Sequence, residues 1–298
     1  MKIKYILTII SLLFAITDGQ TANITWVGST SNAWNTGSNW SSGTVPDSAD
    51  NVTISSGTYS PVLDQNRKVS NLTLSTKTID LNGYSLTIYG TATMTSGTVT
   101  NGTFFARGNL ASFNGTLMDC PVDAVCGYIR LSGSTFNETA DFTDQGAATG
   151  TGSGGCTFND DVTITHTGTL TYFTLANSTG DTFNGNVIFT NTSNREIHIA
   201  SSGATQFNGN VILNSTSTGG ISFCNGGGSA TLASGKTISI GTSGFTSDFL
   251  TLKNFTQIGS TAQTITLTSS AVINMISATF NGNLTVTAPG ILLKNSTF

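Results

Sequence analysis

The chain has 298 residues, only 9% of them charged, where ordinary globular proteins carry about a quarter. Its net charge of −4 excludes the basic face that nucleic acid requires and offers nothing to an anionic lipid surface. Glycine is plentiful at 34 residues, proline scarce at 4, and 17 phenylalanines argue against a disordered chain. The composition is that of a β-rich extracellular protein.

In chain order, Lys2 and Lys4 precede an apolar run from Ile6 to Ile16, followed by a small, polar stretch from Thr17 to Ala22. This pattern predicts a secretory signal peptide over residues 1–22, with an apolar run too short to span a bilayer. No later segment is apolar enough to span one, so the expected location is secreted or on the outer cell surface. Residues 23–64 hold all three tryptophans, in Trp26-Val27-Gly28, Trp34-Asn35 and Asn39-Trp40, ahead of Val52-Thr53-Ile54. A solenoid needs an atypical end to cover its core, and this segment is expected to be that cap. A sugar-stacking surface is the functional alternative for the tryptophans.

Short period-2 runs follow, Val69-Ser70-Asn71-Leu72-Thr73-Leu74 and Leu81 to Ile88. Then one phrase recurs: Phe-Asn at Phe113-Asn114, Phe136-Asn137, Phe158-Asn159, Phe183-Asn184, Phe207-Asn208 and Phe280-Asn281. The first five phenylalanines are 23, 22, 25 and 24 residues apart, and Leu232 and Phe255 fall where missing copies belong. A fixed period in the range of about 20–50 residues marks a solenoid. After each Phe-Asn corner comes an alternating strand, such as Val187-Ile188-Phe189 or Val211-Ile212-Leu213, then a turn and a second apolar pair. The expected fold is all-β: a right-handed parallel β-helix over residues 65–298, with coils of about 22–25 residues. An antiparallel sandwich is the competing architecture.

Stacking explains the residue choices. Equivalent side chains lie about 4.8 Å apart, which suits offset phenylalanine rings and amide-to-amide asparagine bonds. The glycine after each asparagine is expected to supply a left-handed corner. The six phenylalanines and six asparagines form the predicted structural ladder.

Cys120 and Cys126 are close enough in sequence for a small disulfide loop, whereas Cys156 and Cys224, nearly three coils apart, should not pair with each other. His166 is expected in a threonine-rich turn at the surface, and His198, between Ile197 and Ile199, should face solvent; neither belongs to a catalytic or zinc motif. Glu138 and Asp160 replace the corner glycine in adjacent coils, with Asp161 next and Asp141 and Asp144 nearby. Glu138, Asp160 and Asp161 are the candidate Ca²⁺ ligands, and the Glu138–Asp160 spacing also suits a retaining glycosidase pair. No other cofactor is expected.

The tryptophan segment, the Leu-Thr-Leu coils, the Thr-Phe-Asn-Gly-Asn-Val corner at Thr182–Val187 and its Leu-ending copy at Thr279–Leu284 resemble large secreted surface proteins of gliding-type bacteria. That resemblance implies type IX-type export, a filamentous-haemagglutinin-like β-helix, and adhesion to host, matrix or glycan surfaces. Such proteins carry a C-terminal sorting domain, and this sequence stops at Ser296-Thr297-Phe298, so the chain is expected to be part of a longer protein. The expected function is a non-enzymatic adhesin-like rod of about eleven coils, roughly 50 Å long. The alternatives are a polysaccharide lyase or glycoside hydrolase on the same fold, and an ice- or mineral-binding threonine face.

Overall fold

The computed structural model describes residues 21–147, 150–246 and 248–298; residues 1–20 of the expected signal peptide lie outside them. Apart from one 3-10 turn at Gly37–Asn39, the regular structure is short β-strands of two to eight residues. Apolar and polar residues alternate within most of them, so most strands bury one side only. Thr91–Met94, with Ala92 and Met94 inward, is typical. One apolar side per short strand satisfies nothing alone. The chain buries it by turning after each strand and laying every coil on its predecessor.

The result is a parallel β-solenoid of about eleven turns. The first face runs from Asn23–Thr25 through Asn51–Ile54, Asn71–Leu74 and Thr91–Met94 to Tyr128–Ser132. It continues, through a parallel bridge from Ser132 to Gly154, into seven further strands ending at Gly290–Lys294. The second face is a sheet of ten strands from Thr78–Asp80 to Thr279–Phe280. The third has nine, from Arg67–Val69 to Ile238–Phe245, followed by the pair Gln263–Thr266 and Leu284–Thr287. Coils spanning 22–25 residues begin only at Phe136. Below it the second-face register advances by 20, 19 and 18 residues, through Ile79, Val99, Met118 and Phe136.

The tryptophans are core. Trp26 and Trp34 are fully buried and Trp40 nearly so, with Trp40 edge-on to both at 4.8 and 4.7 Å. Trp40 Nε1 donates to the Trp34 carbonyl (2.8 Å) and Trp26 Nε1 to that of Tyr59 (2.7 Å). Such burial removes the sugar-stacking alternative for these rings. The segment is also the start of the sheet, because Ile24 lies in register with Val52 and Val52 with Leu72.

Phe136, Phe158, Phe183 and Phe207 pair in direct register up the second face. Their rings stack at 5.1, 4.8 and 5.1 Å with interplanar angles of 7°, 9° and 10°. Phe142 and Phe189, from the third face, close the stack edge-on. Leu232 takes the next rung, as the spacing predicts.

Two expected rungs are displaced. Phe113 belongs to the first face, in register with Met94 and Leu131, and Met118 occupies the rung beneath Phe136. The 23-residue gap from Phe113 to Phe136 exceeds the 18-residue coil there, so the motif counts past one corner. Phe255 pairs with Ala230, two residues early, and Gln257 fills the rung between Leu232 and Phe280. Phe255 still stacks on Phe280 from that offset, at 5.6 Å.

The asparagine ladder runs one way. Nδ2 of Asn208 donates to Oδ1 of Asn184, Asn184 to Asn159, and Asn159 to Asn137, each at 2.8 Å. Asn137 donates to Asp119 (3.0 Å), so the lowest rung is a carboxylate that only accepts. A second row repeats this: Asn210 to Asn186 (3.1 Å), and Asn186 to Asp161 (3.0 Å). Asn114, on the first face beside Ser132, stands outside the row, and Asn281 donates instead to the carbonyls of Gln257 and Ile258.

Gly185 and Gly209 do not adopt the left-handed conformation expected of them. A Cβ on Gly185 would meet Asp160 backbone at 2.2 Å, and one on Gly209 the Gly185 carbonyl at 2.0 Å. Glycine is needed there for close approach of consecutive coils. The left-handed corner lies elsewhere, after the first-face strands, at Ala176, Ala200 and Cys224.

Phe183→Ala is expected to lower unfolding free energy by about 3–5 kcal/mol, because it opens a cavity inside the ring stack. Asn184→Ala breaks one exposed amide link and is expected to cost about 1 kcal/mol. Urea denaturation of the two variants checks that order.

Candidate functional site

On the third face, consecutive coils leave an outward groove of about 390 Å³. Val162, Ile188 and Ile212 contribute its apolar surface, and Asp141, Asp161, Asn186 and Asn210 its polar one. The groove follows from register: Asp141, Thr163, Ile188 and Ile212 are successive outward positions of four stacked strands. Below Asp141 the same column carries Asp123, which pairs with the Arg107 guanidinium, itself 4.9 Å above the Phe105 ring.

Of the predicted Ca²⁺ ligands only Asp161 lines this groove, and it serves the coils. Oδ1 of Asp161 accepts from both the backbone N–H (2.7 Å) and the side chain of Asn186. Asp160 Oδ1 accepts the N–H of Asp161 (2.7 Å), and Glu138 projects into solvent from the corner beneath. Asp144 turns inward, away from them, and is buried. Among the described residues no group of three or more His, Cys, Asp or Glu is arranged to hold a metal ion. What the groove offers is a strip of hydroxyl, amide and carboxylate groups beside exposed aliphatic carbon.

The two histidines part company. His166 ends the strand Val162–His166 and is fully buried, contrary to the surface turn expected from its threonine-rich surroundings. Its Nδ1 lies 3.1 Å from Asp144 Oδ1 and its Nε2 3.1 Å from the Thr171 carbonyl. Asp144 also accepts from the backbone N–H groups of Ile129 and Gly146 (3.0 Å each). The pair thus ties together three coils where the chain leaves the third face. One signal for this burial is legible in the chain: His166 continues the alternation of Val162 and Ile164.

His198 faces outward as expected. Its Nε2 bonds Glu196 Oε2 (3.0 Å), and that oxygen also accepts from Ser222 Oγ (3.1 Å). The hydrogen bond from His198 holds the Glu196 carboxyl below its usual range. The Tyr172 ring stacks on the imidazole at 5.0 Å, inclined by 20°. Tyr172 was not legible as a partner, because the 167–172 turn has no repeat from which to fix its register.

All four cysteines are free and buried. The expected Cys120–Cys126 bridge is excluded by the strand Val122–Cys126, which is extended between them. At about 3.3 Å per residue that strand separates its own ends by more than the roughly 7 Å a disulfide permits. Burial pushes the Cys120 and Cys224 thiols up to about 12, and raises Cys126 and Cys156 as well, which leaves the thiols protonated and unreactive.

Asp181 is the other buried acid. Its Oδ1 accepts the Cys156 N–H (2.9 Å), while its own N–H donates to Thr205 Oγ1 (3.2 Å). Burial raises its carboxyl from 3.8 to about 7, against the lowering effect of backbone N–H groups from Cys156 and Gly155.

No protein-family model, curated protein or solved structure matches the chain. Among the described residues no helix is long and apolar enough to cross a membrane.

Because the folded carboxyl of Asp181 holds its proton more tightly than the unfolded one, its contribution is fully favourable below about pH 4. It is lost as pH rises toward about 7, on the order of 4 kcal/mol at most. Asp181→Asn keeps an oxygen for the Cys156 N–H and is expected to remove that part of the slope. Melting temperatures of both proteins between pH 4 and 8 should therefore diverge upward, with the variant more stable at pH 8. Separately, native protein should leave all four thiols unlabelled by a maleimide, and denatured protein should expose four without reduction.

Proposed function

We propose that the protein is a non-enzymatic, adhesin-like rod, exported and displayed at an outer bacterial surface, as its resemblance to gliding-type surface proteins suggests. The observation that carries this reading is where the reactive side chains go. His166, Asp144, Asp181 and the four cysteines are buried in the stack, so the groups best suited to chemistry hold coils together. The outside carries mainly serine, threonine and asparagine with scattered aliphatic groups, a few carboxylates such as Glu138 and Asp161, and the His198–Glu196 pair, a surface suited to contact over an extended area. A solenoid serves that role because each coil adds length and surface together, and its stiffness comes from neighbour-to-neighbour stacking.

The ice- or mineral-binding reading fits less well. Such a face needs one residue type repeated on a flat lattice, whereas the outward column of the third face reads Asp123, Asp141, Thr163, Ile188, Ile212. For a polysaccharide-cleaving enzyme, nothing in the groove pairs a carboxylate with a cation or aromatic platform.

The test is to purify the chain without residues 1–22 and pass it over immobilised matrix proteins and glycans. It should be retained on at least one surface while releasing no new reducing ends from soluble polysaccharide. Specific turnover of a polysaccharide would overturn the proposal.

A further inference from the structure

The first face carries a second outward feature, distinct from the acidic groove. At its centre Tyr172 leaves 47% of its surface in solvent while its ring rests on His198. Arg195 Nε donates to the Thr169 carbonyl (3.2 Å) and so fixes the turn that presents Tyr172. The imidazole beneath is fixed in its turn by Glu196, and Glu196 by Ser222. An exposed ring held from below by a hydrogen-bonded chain is a preorganised platform, because its rotamer entropy is already spent.

From that platform a row of polar groups runs up the rod. His198, Ser222, Thr251 and Asn274 follow one another in direct register on stacked strands; Ser222 is buried and serves Glu196, while Thr251 and Asn274 are partly exposed. Asn274 Nδ2 donates to Thr251 Oγ1 (3.3 Å), and the Asn225 amide reaches toward His198 Nε2 (3.5 Å). The rungs repeat at about 4.8 Å, close to the length of one sugar residue in a linear chain. Charge beside the row balances, with Arg195 and Lys253 on one side of the account and Glu196 and Asp248 on the other. Nothing there selects an anion or a cation.

We propose that this row binds a neutral, linear glycan lying along the rod axis, with one pyranose packed on the open side of Tyr172 and the sugars further along hydrogen-bonded to the Thr251 and Asn274 rungs. An aromatic face is electron-rich and attracts the polarised C–H groups of a pyranose ring. The glutamate, hydroxyl and amide groups then supply the mixed donors and acceptors that sugar hydroxyls need. The inference deepens the adhesion reading, since it names the partner class of one face of that rod.

The experiment measures binding of neutral hexose oligosaccharides, from one to six residues, to the chain lacking residues 1–22 by isothermal titration calorimetry. Uronate-containing and sulfated oligosaccharides serve as charged counterparts. At least one neutral series should bind, tightening with length up to about four residues. Tyr172→Ala should weaken the tetrasaccharide at least tenfold with melting temperature unchanged, and Tyr172→Phe should bind within threefold of the parent. Asn274→Ala should weaken the tetrasaccharide and leave shorter sugars unaffected, and Asp161→Asn, in the other groove, should change nothing. The inference is overturned by absence of binding in every neutral series, by preference for the charged sugars, or by equal affinity of Tyr172→Ala. Surface retention that persists in Tyr172→Ala would overturn this site and leave the adhesion reading intact. Glycan binding without retention on any surface would do the reverse.

Discussion

Parallel stacking of coils at a fixed repeat forces each side chain to sit on the one occupying the same position a coil below. That constraint decides which residues are acceptable. Phenylalanine tolerates phenylalanine above and below, because flat rings 4.8–5.1 Å apart fill the space without clash. Asparagine tolerates asparagine because each amide both donates and accepts. Charged residues stacked in like columns repel, which accounts for a chain with only 9% of them. Within the two amide rows the acids sit at Asp119 and Asp161, the lowest rungs, where a group that only accepts is sufficient.

The same constraint explains what could be read in advance. The fold, and the rungs from Phe136 to Leu232, were legible because coil length there varies little and each coil repeats one phrase at one corner. Phe113 was misplaced because the earlier coils are shorter, so equal spacing in sequence stopped meaning equal position in space. Phe255 slipped for a related reason: the third-face strand before it, Ile238–Phe245, carries a register shift opposite Leu213 and Ser215. Length changes absorbed inside a coil leave no mark on a motif count.

The candidate sites were legible to different degrees. Glu138, Asp160 and Asp161 were placed correctly at a corner, yet Asp161 proved to be the foot of an amide row. His166 was misjudged because its threonine neighbours look like a turn, whereas the strand continues through it and burial against Asp144 follows. The Cys120–Cys126 loop failed because proximity in sequence means separation in space when the intervening residues are extended. The Tyr172–His198 contact joins a turn to a strand one coil away, and no repeat connects the two.

The amide rows have a direction, with every Nδ2 pointing toward the N-terminal coil and every Oδ1 toward the C-terminal one. Each completed coil therefore presents a free acceptor to the coil that follows it in the chain. The molecule is a template for its own continuation, and contacts join only adjacent layers. A polypeptide emerging N-terminus first from a narrow passage can thus condense layer upon layer as it arrives, with no need to wait for the remainder.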